Sequence, residues 1–172
     1  MIRNFGKMAL LCGALAVSAC TDAGRFGGTD GSDPVASTAD TIVPGSANDP
    51  TSPAYFAQAI GDRVLYEVDQ ATVTAAGQSI LDAQATWLLT NSDYTAVIEG
   101  HADEQGTREY NLALGARRAN AAREYLVLRG VPGNRLKVLS YGKERPIEIC
   151  SQEACYAQNR RAVTVLASGL TG

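Results

Sequence analysis

Beyond residue 17 the chain has no long apolar run, so nothing after that point can cross a bilayer as a helix. Histidine is almost missing. His101 is the only one, which rules out an H-E-x-x-H zinc site. No G-x-S-x-G stretch supplies a serine nucleophile. Basic residues are outnumbered, 15 Lys and Arg against 18 Asp and Glu, and none cluster into a patch. That balance argues against nucleic acid or an anionic lipid surface as a partner. No internal repeat of useful period is visible. Cysteine is scarce too, with four in 172 residues: Cys12, Cys20, Cys150 and Cys155.

What is present begins with an address. Arg3 and Lys7 form a positive start, and the stretch from Met8 to Val17 is apolar but too short to span a membrane. It fits the hydrophobic part of a secretory signal. Val17-Ser18-Ala19-Cys20 resembles a bacterial lipobox, in which small residues precede a cysteine that takes a lipid. The expected division is residues 1–19 as lipoprotein signal peptide and Cys20 as the lipidated first residue. By resemblance to bacterial lipoprotein sorting rules, Thr21 in place of aspartate implies sorting to the outer membrane with the protein facing the periplasm. Fatty acyl chains contribute about 0.8 kcal/mol per buried methylene, so a multiply acylated cysteine is a permanent anchor. Without Arg3 and Lys7 the formal net charge of −3 falls by a further two.

Residues 20–53 read as a lipid-anchored disordered tether. They are rich in Gly, Ser, Thr, Asp, Ala and Pro, with only Phe26, Val35, Ile42 and Val43 as larger apolar residues. A flexible segment of this length spans roughly 30 Å r.m.s. and about 110 Å when stretched. Cys150 and Cys155 remain in the exported part, and a disulfide between them is expected. So small a ring contributes roughly 2 kcal/mol. The alternative, half of a metal site, needs two further ligands.

Residues 54–172 form one domain of ordinary size. Alternation marks a strand over 63–68. Gly77, Ile80, Leu81, Gln84, Trp87 and Leu88 at helical spacing mark a helix over 74–91, with Gln84 an unexplained polar member of the stripe. A strand follows over 94–99, and a helix over 107–129 stopped by Gly130 and Pro132. A strand over 136–141, a short helical segment over Glu153–Asn159 and a strand over 161–167 complete the domain. The alternation predicts an α/β class, an α+β sandwich with helices packed on a mixed four-stranded sheet.

Chemistry concentrates in the run Glu99-Gly100-His101-Ala102-Asp103-Glu104-Gln105-Gly106-Thr107 and the helix after it. Asn111, Leu114, Gly115, Arg118, Ala119, Ala122, Tyr125 and Leu126 share one stripe of that helix. Arg118 is the odd member, because a guanidinium in a buried stripe needs a partner. Two readings follow from the spacing. Asp103 and Arg118 pair with each other and pin the loop, or each holds one end of a zwitterionic ligand. Loop amides around Glu104 to Thr107, at a helix N-terminus, would also favour a carboxylate.

The stripe resembles the signature of the OmpA C-terminal-like peptidoglycan-binding family, TD..G....N..LS..RA..V..YL. Here it is carried by Ala102-Asp103, Gly106, Asn111, Leu114-Gly115, Arg118-Ala119, Ala122 and Tyr125-Leu126. Alanine replaces threonine at 102, glycine replaces serine at 115 and alanine replaces valine at 122. Tyr66-Glu67-Val68-Asp69 stands where the lipoprotein branch of the family carries an FDFD-type run. Ser140-Tyr141-Gly142-Lys143 and Gln158-Asn159-Arg160-Arg161-Ala162-Val163 match that branch as well, as structural elements. The resemblance covers the whole domain. It implies a β/α/β/α/β-β mixed sheet and recognition of the diaminopimelate side chain of peptidoglycan stem peptides. Asp103 would accept from the ammonium and Arg118 would fork onto the carboxylate. Asn111, Leu114, Ala102, Tyr66, Glu67 and Val68 would wall the site. It further implies TolB and other Tol proteins as partners, a role in envelope integrity and cell division, and no cofactor.

Catalysis has few footholds. Ser140-Tyr141-Gly142-Lys143 fits S-x-x-K, but the serine sits at a strand end and no S-D-N or K-T-G follows. A cell-wall hydrolase using an acidic pair near Glu99 and Asp103 is the one enzymatic alternative. The expectation is therefore a non-catalytic anchor with no metal.

Overall fold

A computed structural model describes residues 42–168. The expected signal peptide, the expected lipidation site at Cys20 and the expected tether up to residue 41 lie outside the described residues. Chain order is α1 (Pro53–Tyr55), running on as a π-helical turn over Phe56–Gly61, then β1 (Arg63–Leu65), α2 (Ala75–Thr90), β2 (Tyr94–His101), α3 (Arg108–Leu128), β3 (Leu136–Gly142), α4 (Glu153–Asn159) and β4 (Arg161–Ser168). The four strands form one mixed sheet in the order β1-β4-β2-β3. β2 and β3 are parallel, and β4 runs antiparallel to both β1 and β2. No helix among the described residues is long and apolar enough to cross a membrane.

Both long helices start where a threonine can cap them. Thr74 Oγ1 accepts from the amide of Gly77 at 3.1 Å, and Thr107 Oγ1 from that of Tyr110 at 3.2 Å. The Gly130 backbone, at φ +99°, ends the second helix. Leu81, Leu88, Ala119, Ala122 and Leu126 face Ala96 and Ile98 of the central strand to make the core. Helix α3 approaches β2 through two glycines. A Cβ on Gly100 would sit 1.8 Å from the Gly115 carbonyl oxygen, so backbone meets backbone there.

Gln84 is explained by two bonds. Its amide nitrogen donates to the Gly61 carbonyl at 2.7 Å, and its oxygen accepts from Thr164 Oγ1 at 2.7 Å. A fully buried amide satisfied on both ends ties α2 to the π-turn and to β4.

Most element ends shift by one or two residues from the sequence reading, and two boundaries differ by more. The first strand is shorter than 63–68, because after Leu65 only the Tyr66 amide continues the ladder, to the Arg160 carbonyl at 2.9 Å. The chain then turns at Asp69, φ +57°, with Gln70 N–H donating to the Glu67 carbonyl. Aspartate tolerates this left-handed position better than most residues. The domain also begins earlier than residue 54. Trp87 Nε1 donates to the Pro50 carbonyl at 2.8 Å, Tyr94 Oη to the Thr51 carbonyl at 3.2 Å, and Ser52 is buried as the cap of α1. These polar residues bond to the domain without contributing apolar bulk, so composition alone assigned them to the tether. Cys150 and Cys155 are joined as a disulfide, Cα to Cα 5.9 Å.

Candidate functional site

The loop between β2 and α3 is fixed at almost every residue. Ala102 N–H donates to the Gly142 carbonyl at 2.8 Å, and Gln105 N–H to Asp103 Oδ1 at 3.3 Å. Gly106 takes φ +88°. Asn111, buried in the first turns of α3, donates back to the Gln105 carbonyl at 2.6 Å. Lys143 Nζ donates to the carbonyls of Glu104 and Gly106, at 3.3 and 2.7 Å, which is what the lysine of the Ser140–Lys143 stretch does here. Ser140 Oγ is likewise occupied, donating to the Leu112 carbonyl at 2.6 Å.

Against this loop lies a cavity of about 260 Å³, lined by Val68, Asp69, Asp103, Gln105, Gly106, Tyr110, Asn111 and Leu114. Its polar walls are dominated by two carboxylates. Tyr110 Oη donates to Asp69, and that bond raises the tyrosine pKa. Asp103 Oδ2 lies 3.3 Å from Arg160 Nη1. A concave site with two carboxylates, one leucine wall and amide oxygens suits a primary ammonium.

Of the residues singled out from sequence, Asp103, Asn111, Leu114 and Val68 do line this cavity. Arg118 does not. It is fully buried, with Nε donating to the Gln70 carbonyl at 2.7 Å, Nη1 to the His101 carbonyl at 2.9 Å and Nη2 to the Glu67 carbonyl at 3.1 Å. The Tyr66 ring lies 5.4 Å from Cζ, and Tyr66 Oη donates to the Arg118 carbonyl at 2.8 Å. Burial brings the Arg118 pKa down to about 10, opposed by the Asp103 charge, so the group stays protonated at neutral pH. The arginine therefore staples the 67–70 turn and the end of β2 to α3. The ion pair between Asp103 and Arg118, one of the two readings of their spacing, is not formed, because Arg160 takes the carboxylate and backbone carbonyls take Arg118.

Tyr66 and Ala102 are also buried, at 3% and 2% exposure, and neither reaches the cavity. Tyr66 faces the Arg118 backbone, while Ala102 sits where the strand leaves the sheet. Glu67 is exposed but belongs to a separate depression, shared with Leu65, Thr74, Glu153 and Arg160. The positive φ of Asp69 redirects the chain, so Val68 and Asp69 face the cavity and Glu67 does not.

Asp69, Gln105 and Tyr110 are additions that sequence reasoning missed as cavity residues. Tyr110 was accessible to it, since 110, 114 and 118 fall at four-residue spacing on α3. The acidic pair Glu99 and Asp103 is not assembled. Glu99 lies on β2 with Oε2 3.8 Å from His101 Nε2 and does not line the cavity. Among the described residues no three His, Cys, Asp or Glu converge as metal ligands.

A mixed sheet with a loop-to-helix cavity at the end of its central strand defines an OmpA-like α+β domain, and the OmpA family model matches residues 65–160. Over 128 residues the chain is 54% identical to the peptidoglycan-associated lipoprotein of Rhizobium meliloti, covering 74% of this chain and 69% of that one. Against the protein of the same name from Pseudomonas aeruginosa it is 42% identical over 165 residues, covering 92% and 95%. The crystal structure of the peptidoglycan-associated lipoprotein from Burkholderia pseudomallei superposes with TM-score 0.63 at 39% identity, covering 70% of this chain and 98% of that one. The C-terminal domain of Helicobacter pylori MotB shares the fold, with TM-score 0.59 at 19% identity over 63% of this chain and 86% of that one. The chain belongs to the OmpA family, within its peptidoglycan-associated lipoprotein group.

Proposed function

We propose that this protein anchors the outer membrane to the cell wall without catalysis, by binding the diaminopimelate of peptidoglycan stem peptides in the cavity at the head of α3. The observation that carries the reading is the pairing of Asp69 and Asp103 on one cavity built on a fixed loop. Together they receive the ammonium of a zwitterionic amino acid end. Its carboxylate falls to Arg118. That guanidinium has five N–H donors, and three are engaged by protein carbonyls. Arg118 is covered by the 67–70 turn, so the proposed carboxylate contact requires that turn to move aside.

Family membership and the lipobox at Cys20 support the rest of the reading. Residues 1–19 are the signal, the lipid at Cys20 holds the outer membrane from its periplasmic side, and the residues after it form the tether. The family resemblance supports TolB and other Tol proteins as partners and a role in envelope constriction at division. Each grip is modest, and many copies on one wall add by avidity.

Co-sedimentation of the full chain with purified diaminopimelate-type sacculi tests the reading, beside Asp69→Ala and Asp103→Ala variants checked for folding by circular dichroism. Pelleting of the wild type, lost in both folded variants and without soluble muropeptide release, is expected. Release of muropeptides, or equal pelleting of the variants, overturns it.

A further inference from the structure

Asp103 is not held by its own loop alone. Arg160, 4% exposed, stands behind it. Its Nη1 donates to Asp103 Oδ2, its Nε to the Tyr66 carbonyl at 3.2 Å, and its Nη2 to the Glu153 carboxylate. Glu153 is the first residue of α4, a seven-residue helix too short to persist by itself. Its capping residue Gln152 makes no side-chain bond to the helix. The Cys150–Cys155 disulfide closes the incoming loop onto the third residue of that helix. At the far end of α4, Asn159 donates to Glu104, the neighbour of Asp103, at 2.9 Å.

We propose that the disulfide, acting through α4, Glu153 and Arg160, sets the orientation of Asp103 and so the grip of the cavity on a ligand ammonium. Arg160 is a positioning residue. It occupies one lone pair of Oδ2 while the Gln105 amide occupies one of Oδ1, which fixes the plane of the carboxylate and leaves one lone pair on each oxygen for the ligand. Without the disulfide the first turn of α4 frays, Glu153 releases Arg160 Nη2, and the guanidinium that orients Asp103 Oδ2 loses one of its three fixed partners. The inference rests on the reading in which Asp103 receives the ammonium.

The test measures binding of the full chain to a soluble meso-diaminopimelate tripeptide by calorimetry. The variants are Cys150→Ser with Cys155→Ser, Glu153→Gln, Arg160→Ala and Arg160→Lys. The Glu153 side chain is 66% exposed, so Glu153→Gln leaves folding intact. Affinity about tenfold weaker is expected for the cysteine and Glu153 variants, with partial recovery in Arg160→Lys over Arg160→Ala. The Gln105 amide resonance of the ligand-free protein shifts when the disulfide is removed. Wild-type affinity in the folded cysteine and Glu153 variants overturns the positioning role while leaving the functional reading standing. Failure of the wild type itself to bind the tripeptide overturns the functional reading and the claimed effect on grip, and an unmoved Gln105 amide overturns the coupling to Asp103 whether or not ligand binds.

Discussion

Two side chains carry more of this molecule than their chemistry first suggests. Arg118 holds three backbone carbonyls from two separate segments, and removing it takes a donor from each, leaving the Glu67 carbonyl only its bond from the Gln70 amide. Arg118→Ala is expected to lower stability by about 3 kcal/mol or more, read by urea denaturation, so its loss of ligand binding cannot be interpreted without that curve. His101 is the second. Both ring nitrogens are buried without a partner, Tyr141 stacks at 5.5 Å, and Glu99 approaches at 3.8 Å. Burial, with Arg161 and Arg145 adding positive charge, lowers its pKa from 6.5 to about 4. Between those values the unfolded chain binds the extra proton and the folded chain does not. The stabilisation from a neutral His101 is therefore complete above pH 6.5 and is lost as pH falls toward 4, by about 3 kcal/mol. His101→Gln is expected to flatten that part of the stability profile, measured by thermal melts across pH 4–7.

At the scale of elements, the contact of α3 with β2 places the loop. Gly100 and Gly115 allow backbone to touch backbone, and Gly142 adds a third close approach, with a Cβ there lying 2.8 Å from the Leu112 amide nitrogen. Gly115→Ala is expected to push α3 outward and cost 1–3 kcal/mol by the usual scale of overpacking, while also loosening ligand binding because Thr107 and Asn111 move with the helix. Differential scanning calorimetry with a binding assay separates the two effects. These long elements were legible in sequence because threonine caps, glycine stops and apolar spacing agreed with one another. Asp103, Asn111 and Leu114 were legible for the same reason, lying on or next to a well-marked helix. Arg118 was placed correctly in the buried stripe, but periodicity cannot say which carbonyls cover a guanidinium. The cavity role of Asp69 was invisible because it depends on a single left-handed residue that breaks the strand pattern of Tyr66–Val68.

For the whole molecule, the folded unit includes part of what composition assigns to the tether. Removing residues 42–53 strips the acceptors from Trp87 Nε1 and Tyr94 Oη and uncaps α1. A chain beginning at residue 54 is expected to melt several degrees below one beginning at residue 42, at about 1 kcal/mol per lost hydrogen bond. The sequence could not show this, because Pro50, Thr51 and Ser52 contribute carbonyls and a hydroxyl, and no apolar pattern announces them.

That attachment decides how force passes through the domain. The amino-terminal segment is tied at Trp87 of α2 and at Tyr94, where β2 begins, and the cavity sits just past His101, where β2 ends. Under the proposed anchor role, a pull between membrane and wall runs lengthwise along an eight-residue central strand, about 27 Å, flanked on both sides by paired neighbours. Load in that direction shears both ladders at once and does not peel them bond by bond. Pulled from residue 42 against a wall-bound cavity, the domain is expected to release its ligand before its sheet yields, and single-molecule force spectroscopy would record slippage followed by rebinding of an intact fold.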